Sequence, residues 1–86
     1  MKSVIKVINM KSQKDASSIQ SAVINNEGII AIQTSLKKNE ITVIYNDIYI
    51  NIDKIIGIIE DLGYVIIWFW FLNIIQKFKD MYYKML

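Results

Sequence analysis

Few side chains in this sequence could carry chemistry. It has neither cysteine nor histidine, so no thiolate nucleophile and no base that titrates near neutrality is available. The Asp and Glu residues scatter over turns and helix ends instead of pairing, and Glu60-Asp61, adjacent in sequence, reads as a solvated helix end. Gly28, Gly57 and Gly63 stand too far apart to cradle a phosphate. An enzyme is not expected. One segment, Asn9-Met10-Lys11-Ser12-Gln13-Lys14-Asp15, does combine a thioether, a hydroxyl and a carboxylate. Ser12 with an acid three residues later fits a variant of the capping box, in which each side chain satisfies backbone N–H groups at a helix start and the negative charge suits the helix dipole. The alternative is a weak hard-cation site built from Asp15, Ser12 and backbone carbonyls. A single carboxylate is a poor start toward the roughly six to eight oxygens calcium takes, and no cofactor is expected.

The elements that must position this segment follow from the spacing of apolar residues. Ser3 to Ile8 is a β-branched run with Ile5 and Val7 on one face, hence a first strand. From Ser12 the period lengthens, with Ile19, Ala22 and Val23 on one helical face and Lys14, Ser17, Ser18 and Ser21 on the other, until Asn25-Asn26-Glu27-Gly28 ends the helix. Ile29 to Leu36 and Glu40 to Tyr45 read as two strands around a Lys37-Lys38-Asn39 turn. Asn51 caps a second helix carrying Ile52, Ile55, Ile58, Ile59 and Leu62, which stops at Gly63, and Tyr64 to Trp68 forms a fourth strand. The order βαββαβ with right-handed crossovers predicts an α+β, ferredoxin-like sandwich, one antiparallel sheet with both helices on one face.

In this order the segments resemble the heavy-metal-associated (HMA) domain family, which includes copper chaperones and the N-terminal modules of metal-pumping ATPases. The resemblance spans about residues 1 to 67. It rests on Ile52-Asp53-Lys54-Ile55 followed by Ile58-Ile59-Glu60-Asp61-Leu62-Gly63-Tyr64, and on Glu27-Gly28-Ile29, Leu36 and Thr42-Val43-Ile44-Tyr45-Asn46 in the middle hairpin. The family's metal loop reads Gly-Met-x-Cys-x-x-Cys between the first strand and first helix. Met10 matches it here, whereas Ser12 and Asp15 stand at the two thiolate positions. Copper(I) needs soft donors and zinc sites are built from thiolate, imidazole and carboxylate, so the resemblance implies the family's fold with a degenerate metal loop at Met10, Ser12 and Asp15.

If Ile5, Val7, Ile41, Val43, Tyr64 and Ile66 face the helices, alternation puts Val4, Lys6, Ile8, Thr42, Ile44, Val65 and Ile67 on the opposite, open face. That face is unusually apolar and needs a cover. Residues 69–86 supply a candidate: on a helical wheel Asn73, Gln76, Lys77, Asp80 and Lys84 gather within about 100°, and Trp70, Phe71, Ile74, Ile75, Phe78, Met81, Tyr82 and Met85 fill the other side. The expected organisation is a 1–68 HMA-like domain followed by an amphipathic C-terminal helix over 69–86. That helix has three possible seats: its own sheet face, a second copy or another protein, or a membrane surface with Lys77, Lys79 and Lys84 at the headgroups. The expected interaction residues are Val4, Ile8, Ile44, Val65, Ile67, Trp70, Phe71, Ile74, Phe78 and Met81.

Composition narrows the function further. With 86 residues, 53% of them apolar, the chain makes one domain held by hydrophobic burial alone. A net charge of +2 is too small to draw in nucleic acid, and the third strand, Glu40-Ile41-Thr42-Val43-Ile44-Tyr45, lacks the basic and aromatic motif with which RNA-binding relatives of this fold stack bases. Lys6 falls inside what would be the apolar core of an export signal and no small-residue cleavage site follows, and the uncharged run Leu62 to Gln76 is short of the roughly 20 apolar residues a spanning helix needs. The sequence therefore predicts a cytoplasmic, non-catalytic interaction or assembly module, with a protein partner or a second copy of itself. Two alternatives stand beside it: a copper-chaperone-like carrier using non-cysteine or shared ligands, and a membrane-surface adaptor.

Overall fold

The computed structural model describes residues 1–71, with side chains up to residue 67. The elements run β1 (Lys2–Val7), α1 (Gln13–Ile24), β2 (Ile29–Ser35), β3 (Glu40–Tyr45), α2 (Ile52–Asp61) and β4 (Ile66–Phe71). The four strands form one sheet in the order β2-β3-β1-β4, every neighbouring pair antiparallel. This is the ferredoxin-like βαββαβ arrangement. Among the described residues no helix is long and apolar enough to cross a membrane.

Alternation along the strands sets the core. Ser3, Ile5 and Val7 of β1 and Ile41, Val43 and Tyr45 of β3 are buried, and they meet Ala16, Ile19 and Val23 of α1 and Ile52, Ile55 and Ile59 of α2. Two buried polar groups satisfy each other within this core, the Ser3 hydroxyl and the Tyr45 phenol lying 3.0 Å apart. A lone buried hydroxyl would cost about 1–3 kcal/mol, so a serine on an inward strand position is explained by its partner across the sheet.

The element ends carry the expected caps. Asn51 accepts the Lys54 N–H at 2.9 Å at the start of α2. Gly63 follows the end of that helix at φ +95 and its N–H reaches the Glu60 carbonyl at 2.9 Å, the left-handed position that favours glycine. Gly28 has φ +96 as well, and a Cβ there would sit 2.9 Å from Ile50 Cγ2 and 2.9 Å from Tyr49 Cβ. This turn packs the entry of β2 against the β3–α2 loop in a way only glycine allows.

Three details differ from the sequence expectation. Leu62 is the C-cap of α2 and is 45% exposed instead of facing the core. Strand β2 ends at Ser35, leaving Leu36 in the turn. The larger difference is β4, which starts at Ile66 instead of Tyr64 and runs on past Trp68 to Phe71, with Trp70 opposite Val4 and Phe71 opposite Ser3 on β1. Trp70 and Phe71 therefore belong to a strand, and a C-terminal helix does not start at residue 69. An aromatic run satisfies both a strand and one side of a helical wheel, and the free backbone groups along the edge of β1 decide between them. Ile74, Phe78 and Met81, the rest of the expected helix, lie outside the described residues.

Candidate functional site

The segment between β1 and α1 is fastened on both sides. Ser12, in extended conformation at φ −132 and ψ 164, is the N-cap of α1, and its hydroxyl accepts the Asp15 N–H at 3.1 Å. The Asp15 carboxylate reaches back, one oxygen accepting the Lys11 N–H at 3.0 Å and the Ser12 N–H at 3.1 Å. This is a complete capping box with aspartate in the acid's place. The other carboxylate oxygen accepts the Tyr64 hydroxyl at 2.7 Å, which ties the start of α1 to the chain just beyond α2. Upstream, the Asn9 side chain accepts the Val65 N–H at 2.8 Å and donates to the Gly63 carbonyl at 3.2 Å. The loop thus closes on the segment that leads into β4.

Met10 sits between these two fastenings and is 0% exposed, a member of the hydrophobic core. Its thioether therefore faces packing atoms and not solvent. The sequence motif gave Met10, Ser12 and Asp15 as neighbours in a loop, and the structure separates their roles: one fills the core and the other two cap a helix. Sequence reasoning did not find Tyr64 as the partner of Asp15 or Asn9 as the clasp on Gly63 and Val65.

The hydrogen bonds act on the acidity of Asp15. The Lys11 N–H first, then the Tyr64 hydroxyl and the Ser12 donors, hold its carboxyl below the ordinary range, although partial burial opposes them. Tyr64 is pushed the other way, because its proton is held by the carboxylate. A lowered folded-state pKa contributes stability that is present above the ordinary carboxylate value and lost as pH falls through the folded value. Asp15→Asn is therefore expected to lower the urea midpoint near neutrality and to differ less from the parent at acid pH, as the carboxyl is protonated on passing its folded-state value. Equal losses at both pH values would show that the charge is not what matters.

As a metal site this donor set does not fit a soft ion. The candidate donors are a hydroxyl and a carboxylate already engaged with backbone N–H groups and a phenol, and a thioether enclosed in the core. Among the described residues no three carboxylates group to hold a hard ion either.

Comparison with known proteins decides the lineage. The model of the heavy-metal-associated domain matches residues 4–65. The chain belongs to the heavy-metal-associated domain family. Solved HMA-like structures superpose on it: the CopZ metallochaperone with a TM-score of 0.76 at 24% identity, covering 78% of this chain and 100% of that one. The yeast copper transporter domain Ccc2a gives 0.71 at 26% identity, covering 76% of this chain and 89% of that one. Oxidized MerP from Ralstonia metallidurans gives 0.73 at 17% identity, covering 77% and 92%. No curated protein matches the chain by sequence. Within the HMA family this domain is set apart by chemistry and not by shape, since the loop that resembles a metal site carries no thiolate.

The remaining candidate residues lie on the open face of the HMA sheet. Ile8, Val65 and Ile67 are exposed by 50%, 54% and 54% and Ile44 by 39%, and Val4 is half-buried. By register, Val4 and Ile44 lie toward one end of the sheet and Ile8, Val65 and Ile67 toward the other. Lys6, which shares this face of β1 with Lys2, donates from Nζ to the Lys38 carbonyl in the β2–β3 turn. Its ammonium is thereby drawn to the hairpin.

Proposed function

We propose that this HMA domain is a non-catalytic cytoplasmic module that works by contact with a protein partner, and that its loop does not carry metal. The observation that carries the reading is the closed cap: Ser12 and Asp15, at the positions where the family has cysteines, spend their donor atoms on each other's backbone and on Tyr64. Association with another protein has support among the relatives, since the yeast domain is also known in an Atx1–Cu(I)–Ccc2a complex, at 26% identity to this chain. Protein association can carry over from such a relative, whereas copper cannot without donors to hold it. The contact surface that fits is the open sheet face carrying Val4, Ile8, Ile44, Val65 and Ile67, because exposed apolar surface on one face of a small domain marks an interaction site.

The test is metal analysis of protein purified under reducing conditions from cells supplied with copper and zinc, with light-scattering mass on the same sample. Metal content below about a tenth of an equivalent is expected. Copper or zinc near one equivalent, retained through a desalting column, would overturn the reading.

A further inference from the structure

Strand β2 forms one edge of the sheet, and no described strand pairs with its outward side. The register shows which backbone groups that side carries. At the two ends of the β1–β3 pair the Tyr45 N–H donates to the Met1 carbonyl and the Val7 N–H to the Asn39 carbonyl, both at 2.9 Å. The odd-numbered positions of β3 thus turn their backbone groups toward β1, and Glu40, Thr42 and Ile44 turn theirs toward β2. Asn46, of the same parity, donates to the Gly28 carbonyl at 2.7 Å. The partners of Glu40, Thr42 and Ile44 on β2 are Ser35, Gln33 and Ala31. Ile32 and Thr34, which alternate with them, point their N–H and C=O groups out of the sheet.

An open edge is a template for another strand, and proteins guard it with charge, proline or irregular backbone. Strand β2 has little of this. Residues 29–36 contain no charged residue and no proline, and the one irregularity, between Ile29 and Ala31, leaves residues 31–35 regular. The helix packed against β2, α1, is uncharged over residues 16–24. Charges stand only at the two ends of the strand and are opposite in sign, Glu27 before it and Lys37 and Lys38 after it, all exposed.

That distribution selects the occupant. Antiparallel to a second copy of itself, β2 brings Glu27 of each chain beside the Lys37-Lys38 turn of the other, twice by symmetry, whereas a parallel pairing sets like charges against like. With Gln33 opposite Gln33 of the second copy, each Ile32 faces a Thr34, and their outward N–H and C=O groups satisfy one another with none left over. We infer that β2 is a self-association edge, at which two copies of this chain join antiparallel about a two-fold axis at Gln33 into one continuous sheet. The two open faces then lie side by side on one surface, and the helices of both copies cover the other. The inference goes beyond the partner-contact reading and needs neither the metal loop nor the apolar residues of the open face, so its test and the metal analysis fail separately.

The chain has no native cysteine, so Gln33→Cys in the full chain reports a single contact. Facing residues of a non-hydrogen-bonded antiparallel pair lie about 4.5 Å apart at Cα, within disulfide reach. Under mild oxidation Gln33→Cys should run as a disulfide-linked dimer on a non-reducing gel, while Lys54→Cys, exposed on α2, should stay monomeric. The unaltered chain should show about twice the monomer mass by light scattering at high concentration, with the Ile32 and Thr34 amides exchanging at least about 10-fold more slowly than in the dilute monomer. Gln33→Lys, which sets like charges directly opposite at an exposed position, should weaken the dimer about 5-fold. A monomer at every concentration would overturn the inference, as would equal trapping through Lys54→Cys or a dimer indifferent to Gln33→Lys. Protection of the Ile32 and Thr34 amides in a monomer would mean that residues of the same chain fill the edge, and would overturn it too.

Discussion

Ser12→Cys combined with Asp15→Cys should give a chain that holds a single copper(I) ion with sub-micromolar affinity, worth about 8 kcal/mol or more. The backbone is already disposed for it. Ser12 is extended at the N-cap, Asp15 lies in the first turn, and each side chain now reaches the other's backbone N–H at 3.1 Å. Two sulfurs projected from these positions would converge on one point above the helix start. There the unpaired N–H groups and the dipole lower thiol pKa values, so both would be present as thiolates near neutrality. Losing the serine cap costs about 1 kcal/mol, which metal binding to the folded form would more than offset. Competition against a chromogenic copper(I) chelator under reducing conditions measures the gain. A folded double variant that leaves its copper with the chelator would mean that the backbone at this loop is not the family's metal-loop backbone. Either single cysteine variant should bind far more weakly, since one soft donor cannot hold the ion alone.

The parts of this domain written in local spacing were legible before the structure, and the parts that depend on contacts across the chain were not. The change from alternating to helical period after Ile8 marks the first strand and first helix, and Asn51 and Gly63 mark the ends of the second helix because caps are local chemistry. The Ser12–Asp15 box is legible for the same reason, its partners being three residues apart. Tyr64 is 49 residues from Asp15, and nothing in the spacing of either announces the 2.7 Å hydrogen bond between them. The Ser3–Tyr45 pair is hidden in the same way, since an inward serine reads as an error until the phenol across the sheet is in place. Trp70 and Phe71 mislead because bulky aromatics suit both a pleated strand and an apolar helix face, and only the pairing edge of β1 resolves the ambiguity. A lost metal site is the easiest of these features to read, for a missing sulfur needs no geometry; what replaces it is visible only in the fold.

Met10 provides the second large effect, and it separates a packing role from a ligand role at the one position where this loop matches the family's metal loop. Met10→Ala should destabilise the domain by about 2–5 kcal/mol, the usual cost of emptying a fully buried site of this size. Small domains have only about 5–15 kcal/mol in total, so the variant should lose much of its resistance to urea. Met10→Leu keeps the volume and removes the sulfur, and should cost less than about 1.5 kcal/mol. If the thioether served as a ligand the two variants would not differ in metal retention, because leucine would abolish it as thoroughly as alanine. The buried position between the Asn9 clasp and the Ser12 cap predicts otherwise: alanine should loosen both fastenings, speeding amide exchange at Ser12 and Asp15, and leucine should leave them protected. An alanine variant as stable as the parent would show that the side chain is not packed in the core. A leucine variant as damaged as the alanine one would show that sulfur, and not volume, is what this position requires.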